Sequence, residues 1–233
     1  MDMPLTNFSQ PENAPVALTK REVAELSIRN AIETGKYKPG QVISQRQIVE
    51  DFGLSVTPIR EAILVLSGNG IVQRHKHHSI KVTEIDSTRL REIFAVRQML
   101  EEQAVRWTAA ACNAQLVTRL KRLNRQLEAH IADPVPEQIN LLDRAFHGHI
   151  FEACGNQALV WTIDRVKSSF PMYALWNEPG RIETSISEHW CLIEAFEKND
   201  QEAAAHAQVG HLSNGLKATI AYLERVMDTK PAA

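Results

Sequence analysis

Apolar positions along this chain follow two rhythms in turn. From Leu18 to Thr34, Val23, Leu26, Ile28 and Ile32 suit the inner face of an amphipathic helix. Pro39-Gly40 in KYKPG then marks a turn. Ser44 caps a second short helix, with Ile48, Val49 and Phe52 inward and Gly53 as its stop. The stretch LSVTPIREAI opens a third helix at Ser55 or Thr57. Pro58 suits a first turn, and Thr57, pushed toward extended backbone by the proline, suits the cap. Ile59, Ala62, Ile63 and Leu66 share one face, and Gly68-Asn69-Gly70 ends the helix. IVQRH and SIKVTEI have strand propensity on either side of a polar turn, which predicts a small hairpin. Three short helices followed by a basic hairpin form the winged helix-turn-helix pattern.

After Asp86 the helical rhythm takes over. It predicts helices over 87–111, 114–131, 135–153, 157–176, 180–198 and 200–228. The breaks are Cys112-Asn113, Asp133-Pro134, Gly155-Asn156, Pro179-Gly180 and Asn199-Asp200. The expectation is a mainly α fold. Residues 1–16 form a polar, flexible arm, 17–85 the winged domain, and 86–230 an all-α six-helix bundle. Asp86-Ser87 is a capped entry with almost no linker, so the two domains should be mechanically coupled.

Composition adds three points. With 44 % hydrophobic residues in 233, the chain can bury a real core, and its net charge is only −2. Residues 18–85 carry ten Lys and Arg against seven Asp and Glu, whereas 86–233 carry sixteen against nineteen. That is the sign expected of a DNA-facing front half. Cys112, Cys154 and Cys191 are scattered and make no CxxC pair, which suits reduced thiols in a cytosolic protein. The N-terminus lacks the blocks of a signal peptide, and no apolar run approaches the ~20 residues that span a bilayer. A cytoplasmic protein with no membrane partner is expected.

The stretch KYKPGQVISQRQIVEDFGLSVTPIREAILVLSGNGIV resembles the N-terminal domain of the GntR superfamily of bacterial transcription regulators. FAVRQMLEEQAVRWTA, DRAFHGHIFEACGN, SEHWCLIEAFEKND and AAAHAQVGHL resemble the FCD ligand-binding domain of its FadR-type branch. Together they cover the chain from about Leu18 to Leu223. The resemblance implies a third helix lying in the DNA major groove and a wing near the minor groove or backbone. An α-helix fits that groove, and arginine can pair bidentately with a guanine edge. The implied DNA-binding residues are Arg46, Ser55, Val56, Thr57, Arg60, Lys76 and His77. For Arg60 an ion pair with Glu61 or Glu50 is the alternative. The chain departs from the family at Val56, where arginine is common. Valine can touch a thymine methyl or pack, but it donates no hydrogen bond. His75, His77 and His78 are read as a wing-tip turn and not as a metal tract.

Asp143 and His147 are spaced i, i+4 and so share a helix face. The resemblance matches these two, with His189 and His211, to the FCD metal site. Three imidazoles and a carboxylate suit a divalent ion of the Zn, Ni or Mn kind. His130, His149 and His206 stay outside that set. The resemblance also places Arg97 and Asn156 near an effector pocket, where Arg97 would meet a small carboxylate. A helix pair with Glu101 and a helix cap are the respective alternatives. Trp107, Trp161, Tyr173 and Trp176 are candidate pocket walls or plain core.

The reading is a ligand-responsive, homodimeric DNA-binding regulator on a two-fold operator, a repressor released by a small organic acid. In it the effector ligates the metal and Arg97, and the Thr83–Ser87 junction carries the bias to the DNA. Two rivals stand beside it. The metal could be structural with the effector bound elsewhere, or an Asp/His₃ site with open positions could activate water in an enzyme.

Overall fold

The computed structural model describes residues 18–33, 35–84, 86–167, 175–176 and 178–228. The expected arm over 1–16 and Tyr173 lie outside them. α1 spans Lys20–Glu33, β1 Val42–Ser44, α2 Gln45–Phe52, α3 Val56–Gly68, β2 Val72–His75 and β3 Ser79–Val82. The strands form one antiparallel sheet in the order β1-β3-β2. The hairpin expectation therefore lacked one strand. β1 is only three residues long, too short to show an alternating pattern, and Ile43 is its one buried residue.

The local devices explain the elements. Ser44 Oγ accepts from the Gln47 amide at 3.1 Å and caps α2. Gly53 ends it at φ +64, where its amide donates to the Val49 carbonyl at 2.9 Å. Ser55, not Thr57, is the N-cap residue of α3, so Thr57 lies inside the first turn. The first turn has no intrahelical use for its amides, so Pro58 costs no hydrogen bond there. In α1 the buried face is Ala24, Ile28, Ala31 and Ile32, while Val23 and Leu26 are exposed. The two alanines complete the i, i+4, i+7, i+8 stripe that the larger side chains had obscured. These residues close a core with Tyr37, Ile43, Ile48, Ile59, Ile63, Leu66, Val72 and Ile80.

The second half is a bundle. α4 is Ser87–Ala110, α5 Ala114–Glu128, α6 Pro136–Glu152, α7 Gln157–Lys167, α8 Arg181–Glu197 and α9 Gln201–Asp228. The Asp86 carboxylate accepts from the Arg89 amide at 2.7 Å, capping α4 directly after the wing. A lower core of Val105, Leu120, Phe146, Ile150, Leu192 and Phe196 holds α4–α8 together. An upper one joins Leu90, Phe94, Leu127, Ile139, Trp176 and Leu212. Among the described residues, contacts between the halves include the following. Tyr222 and Leu223 of α9 pack on the winged core, and Arg165 Nη2 reaches the Gly68 carbonyl at 3.5 Å. Among the described residues no helix is long and apolar enough to cross a membrane.

Candidate nucleic-acid interface and metal centre

α3 buries Ile59, Ala62, Ile63 and Leu66 and leaves Ser55, Val56, Thr57 and Arg60 exposed at its N-terminal end. Val56 is 44 % accessible, so it faces outward and not into the core. The Ser55 hydroxyl makes no capping bond. Arg60 pairs with neither Glu61 nor Glu50. Its Nε donates to Gln45 Oε1 at 3.3 Å, and a neutral amide leaves the guanidinium charge intact. Arg46 is held by Glu50 across one turn of α2 at 2.8 Å. Lys76 and His77 are exposed in the turn between β2 and β3, where His77 and His78 take φ +57 and +53. This left-handed pair makes the tight wing-tip turn. Exposed Arg60, Arg46, Lys76 and His77 thus sit on the helix-turn-helix and wing, without a folding role that uses up their donors.

Deep in the bundle, Asp143 and His147 of α6, His189 of α8 and His211 of α9 converge. Each is buried, and one ligand atom from each lies within 4.8 Å of the others. Asp143 Oδ1 is 3.7 Å from His147 Nε2 and 3.6 Å from His189 Nε2, too long for hydrogen bonds. Asp143 Oδ1 and His189 Nε2 have no partner among the described residues. Buried polar atoms are normally paired, so this cluster has the donor set and the unmet valence of a cation site.

Neighbouring residues set the imidazole tautomers. Asn124, buried in α5, donates through Nδ2 to the Ile186 carbonyl at 3.1 Å. Its Oδ1 therefore faces His189 Nδ1 at 3.0 Å and can only accept, which places the proton on Nδ1 and a lone pair on Nε2. Glu188 does the same for His211, with Oε2 2.8 Å from Nδ1. Glu188 is itself held by Arg181 Nη1 at 3.0 Å and by Asn214 Nδ2 at 2.7 Å. Such outer partners orient ligating histidines. Phe146 stacks on the His189 ring, with centroids 4.0 Å apart.

Electrostatics follow from burial. Desolvation pushes the Asp143 carboxyl up and holds the His147 and His189 imidazoles well below the ordinary histidine range. Burial works to raise the Glu101 carboxyl, but Arg97 and Lys167 outweigh it and hold it low. A cavity of about 20 Å³ adjoins the cluster, lined by Phe94, Arg97, Asp143, Lys167, Arg181 and Gly215, among others. Three cations (Arg97, Lys167, Arg181) here meet three carboxylates (Glu101, Asp143, Glu188).

Two effector candidates have local partners. Arg97 Nε donates to Glu101 Oε1 at 2.7 Å, and Gln208 Nε2 holds the other oxygen at 2.8 Å. Arg97 nevertheless lines the cavity. Asn156 Oδ1 accepts from the Leu159 amide at 3.0 Å and so caps α7. Trp107 and Trp161 are surface side chains, the latter 67 % accessible, and neither lines the cavity beside the cluster; Trp176 is buried in the upper core. Their helices turn those positions outward, which aromatic character alone did not reveal. Asn124, Glu188 and Arg181 were missed. Asn124 had a visible signal: a polar residue within the buried stripe Leu120, Leu123, Leu127.

Residues 20–82 match the gntR family of bacterial regulatory proteins, and 92–214 match the FCD domain. The HTH-type transcriptional regulator YdhC of Bacillus subtilis is 26 % identical over 80 % of this chain and 85 % of its own. The transcriptional repressor RspR of Escherichia coli is 25 % identical over 88 % of both. Among solved structures, E. coli McbR/YncC superposes with a TM-score of 0.75 at 23 % identity, covering 90 % of this chain and 99 % of that one. These relatives are transcriptional regulators, a non-enzymatic role. A winged domain of the gntR type followed by a bundle of the FCD type makes this chain a member of the gntR family of bacterial regulators, in its FCD-containing branch.

Proposed function

We propose that this regulator binds a two-fold operator as a homodimer and is released from it by a small carboxylate. Arg60 and Arg46 read the major groove, Ser55 and Thr57 meet phosphates, and Lys76 and His77 follow the backbone from the wing. Val56 supports a shift in operator preference toward Arg60, Arg46 and the wing. Asp143, His147, His189 and His211 hold a divalent ion of the Zn, Ni or Mn kind, which supplies a positive charge and open coordination positions for a carboxylate. Three cations balance three carboxylates around the cavity, so a divalent ion leaves two positive charges for an anion to neutralise. Arg97 lines the same cavity. The effector acts only through its difference in affinity for the DNA-competent and DNA-incompetent arrangements.

The observation that carries the reading is one chain joining an outward-facing α3 with uncommitted polar groups to a buried Asp/His₃ cluster with unmet valence. The test is selection of bound sequences from random DNA, then gel shifts with metal-loaded protein against a panel of organic acids. Enrichment of an inverted repeat, and weakening by one acid class, are expected. Unchanged binding across the whole panel removes the switch. Comparing wild type with Val56→Arg by the same selection tests the specificity shift, and identical preferences remove it. One observation favours the second reading, a structural metal with the effector elsewhere: about 20 Å³ holds little beyond a water molecule. Metal analysis and thermal melts of Asp143→Ala and His189→Ala, with and without effector, separate the two.

A further inference from the structure

We infer that Arg181, and not Arg97, grips the carboxylate of a ligand entering the metal cavity, and that Glu188 ties this grip to the metal ligand His211. The inference rests on the metal reading above and adds the residue that reads the anion.

Arg181 is 3 % accessible and lines the cavity with Asp143, His147 and His211. Its Nη1 is occupied by Glu188 at 3.0 Å. Its Nε has no partner among the described residues. Its Nη2 lies 3.4 Å from His211 Nδ1. That nitrogen carries the proton shared with Glu188 at 2.8 Å, so it cannot accept a second one from Arg181. Nε and Nη2 form one edge of the guanidinium, with two parallel N–H donors. That edge matches the two oxygens of a carboxylate. The unmet valences of Asp143 Oδ1 and His189 Nε2 are acceptors, and a cation satisfies them. A buried N–H donor is different: a metal ion cannot satisfy it, and an acceptor such as a water or carboxylate oxygen must. A carboxylate supplies two such oxygens and the counter-charge to the cation, so the site suits a cation and an anion together.

The cavity is small, so the room in front of this edge matters. Gly215 of α9 lies beside this edge. A Cβ there would sit 3.9 Å from Arg181 Nη2 and 3.7 Å from both Phe94 and Leu175, which is ordinary contact. The glycine keeps open a methyl-sized volume in front of Nη2. Arg97 is less suited, because its Nε is committed to Glu101 at 2.7 Å. The link to the metal runs through one oxygen. Glu188 Oε2 accepts from both Arg181 and His211, so an anion that draws Arg181 toward itself changes the partner that orients His211. Binding of cation and anion then help each other, and reciprocally so.

The test uses the full chain, Zn²⁺ as metal and acetate as probe, with a chromophoric chelator reporting zinc affinity. In wild type, saturating acetate should tighten zinc binding by about fivefold or more. Arg181→Lys keeps the charge but loses the two-donor edge. It also loosens the hold on Glu188, so zinc binding should weaken without acetate, and the acetate effect should be lost. Gly215→Ala fills the space without a clash and replaces glycine within a helix, so it should fold, bind zinc and also lose the effect. Arg97→Lys should keep it. A wild-type acetate response that survives in Gly215→Ala or Arg181→Lys overturns the inference, as does loss confined to Arg97→Lys. Zinc binding without any acetate response in wild type overturns it alone. Absence of zinc binding in wild type removes the metal reading and this inference together. None of these outcomes touches DNA recognition, which the selection experiment tests separately.

Discussion

Without metal, the Asp143→Asn protein should be destabilised by acid from near neutrality. Burial keeps the His147 and His189 imidazoles neutral in the folded chain well below the ordinary histidine value of about 6.5, at which the unfolded chain takes up protons. The unfolded state then binds more protons, so stability is full above about pH 6.5 and falls as the pH drops toward the folded values. Between about pH 7.5 and about pH 5.5, each histidine forfeits about 1.4 kcal/mol, and the pair about 2.7 kcal/mol. Asp143 has the opposite sign. Burial raises its carboxyl, so the folded chain holds a proton that the unfolded one releases, and over these two pH units this returns up to about 2.7 kcal/mol, which Asp143→Asn removes. In Asp143→Asn the loss is therefore about 2.7 kcal/mol, or roughly 5–11 °C in Tm for a chain of this size. Glu101 and Glu188 are held low and lose their contributions only below the ordinary glutamate range, so they do not blur this window. Thermal melts of chelator-treated Asp143→Asn protein by far-UV circular dichroism, at steps across this range, make the measurement. A Tm that stays flat or rises on acidification would refute the claim that these imidazoles are buried and neutral.

Other consequences are as direct. Asn124→Ala strips His189 Nδ1 of its acceptor and the Ile186 carbonyl of its second donor, leaving that carbonyl its helix partner. Zinc affinity in a chelator competition should fall about 10–100-fold, and apo stability by roughly 1–3 kcal/mol for the unpaired His189 N–H. Arg60→Ala should weaken binding to the selected operator by about 1–3 kcal/mol and relax preference at one base pair, measured by titration against single-base variants. Gly210→Ala adds a methyl where nothing lies within 4 Å on exposed α9, and should raise stability by about 0.5–1 kcal/mol in urea titrations.

What could be read from residues alone was local. Ser44 and Gly53 announced both ends of α2 because a cap is a property of two or three neighbours. Asp143 and His147 were a legible pair because one turn of helix joins them. Val23 and Leu26 are large and apolar yet exposed, because tertiary packing on α3 buries the alanines of α1 instead. Glu188 was adjacent to His189 in sequence, yet its partner is His211, 23 residues away on the next helix. Arg181 gave no signal, because the state of its Nε–H depends on how α8, α9 and the cavity meet.

One feature of α9 bears on how this chain can change over time. The helix carries His211 at the metal cluster and Tyr222 on the winged core. Eleven residues separate them, about 17 Å of rise and only about 20° of net rotation. The two contacts are in phase. A single residue inserted between them would swing Tyr222 by about 100° and off its seat, while both sites kept every side chain they need. Seven inserted residues would nearly restore the phase but would carry the seat about 10 Å along the axis. The spacing of α9 is thus constrained by neither site alone, and insertions there should be harder to accommodate than substitutions on its exposed face.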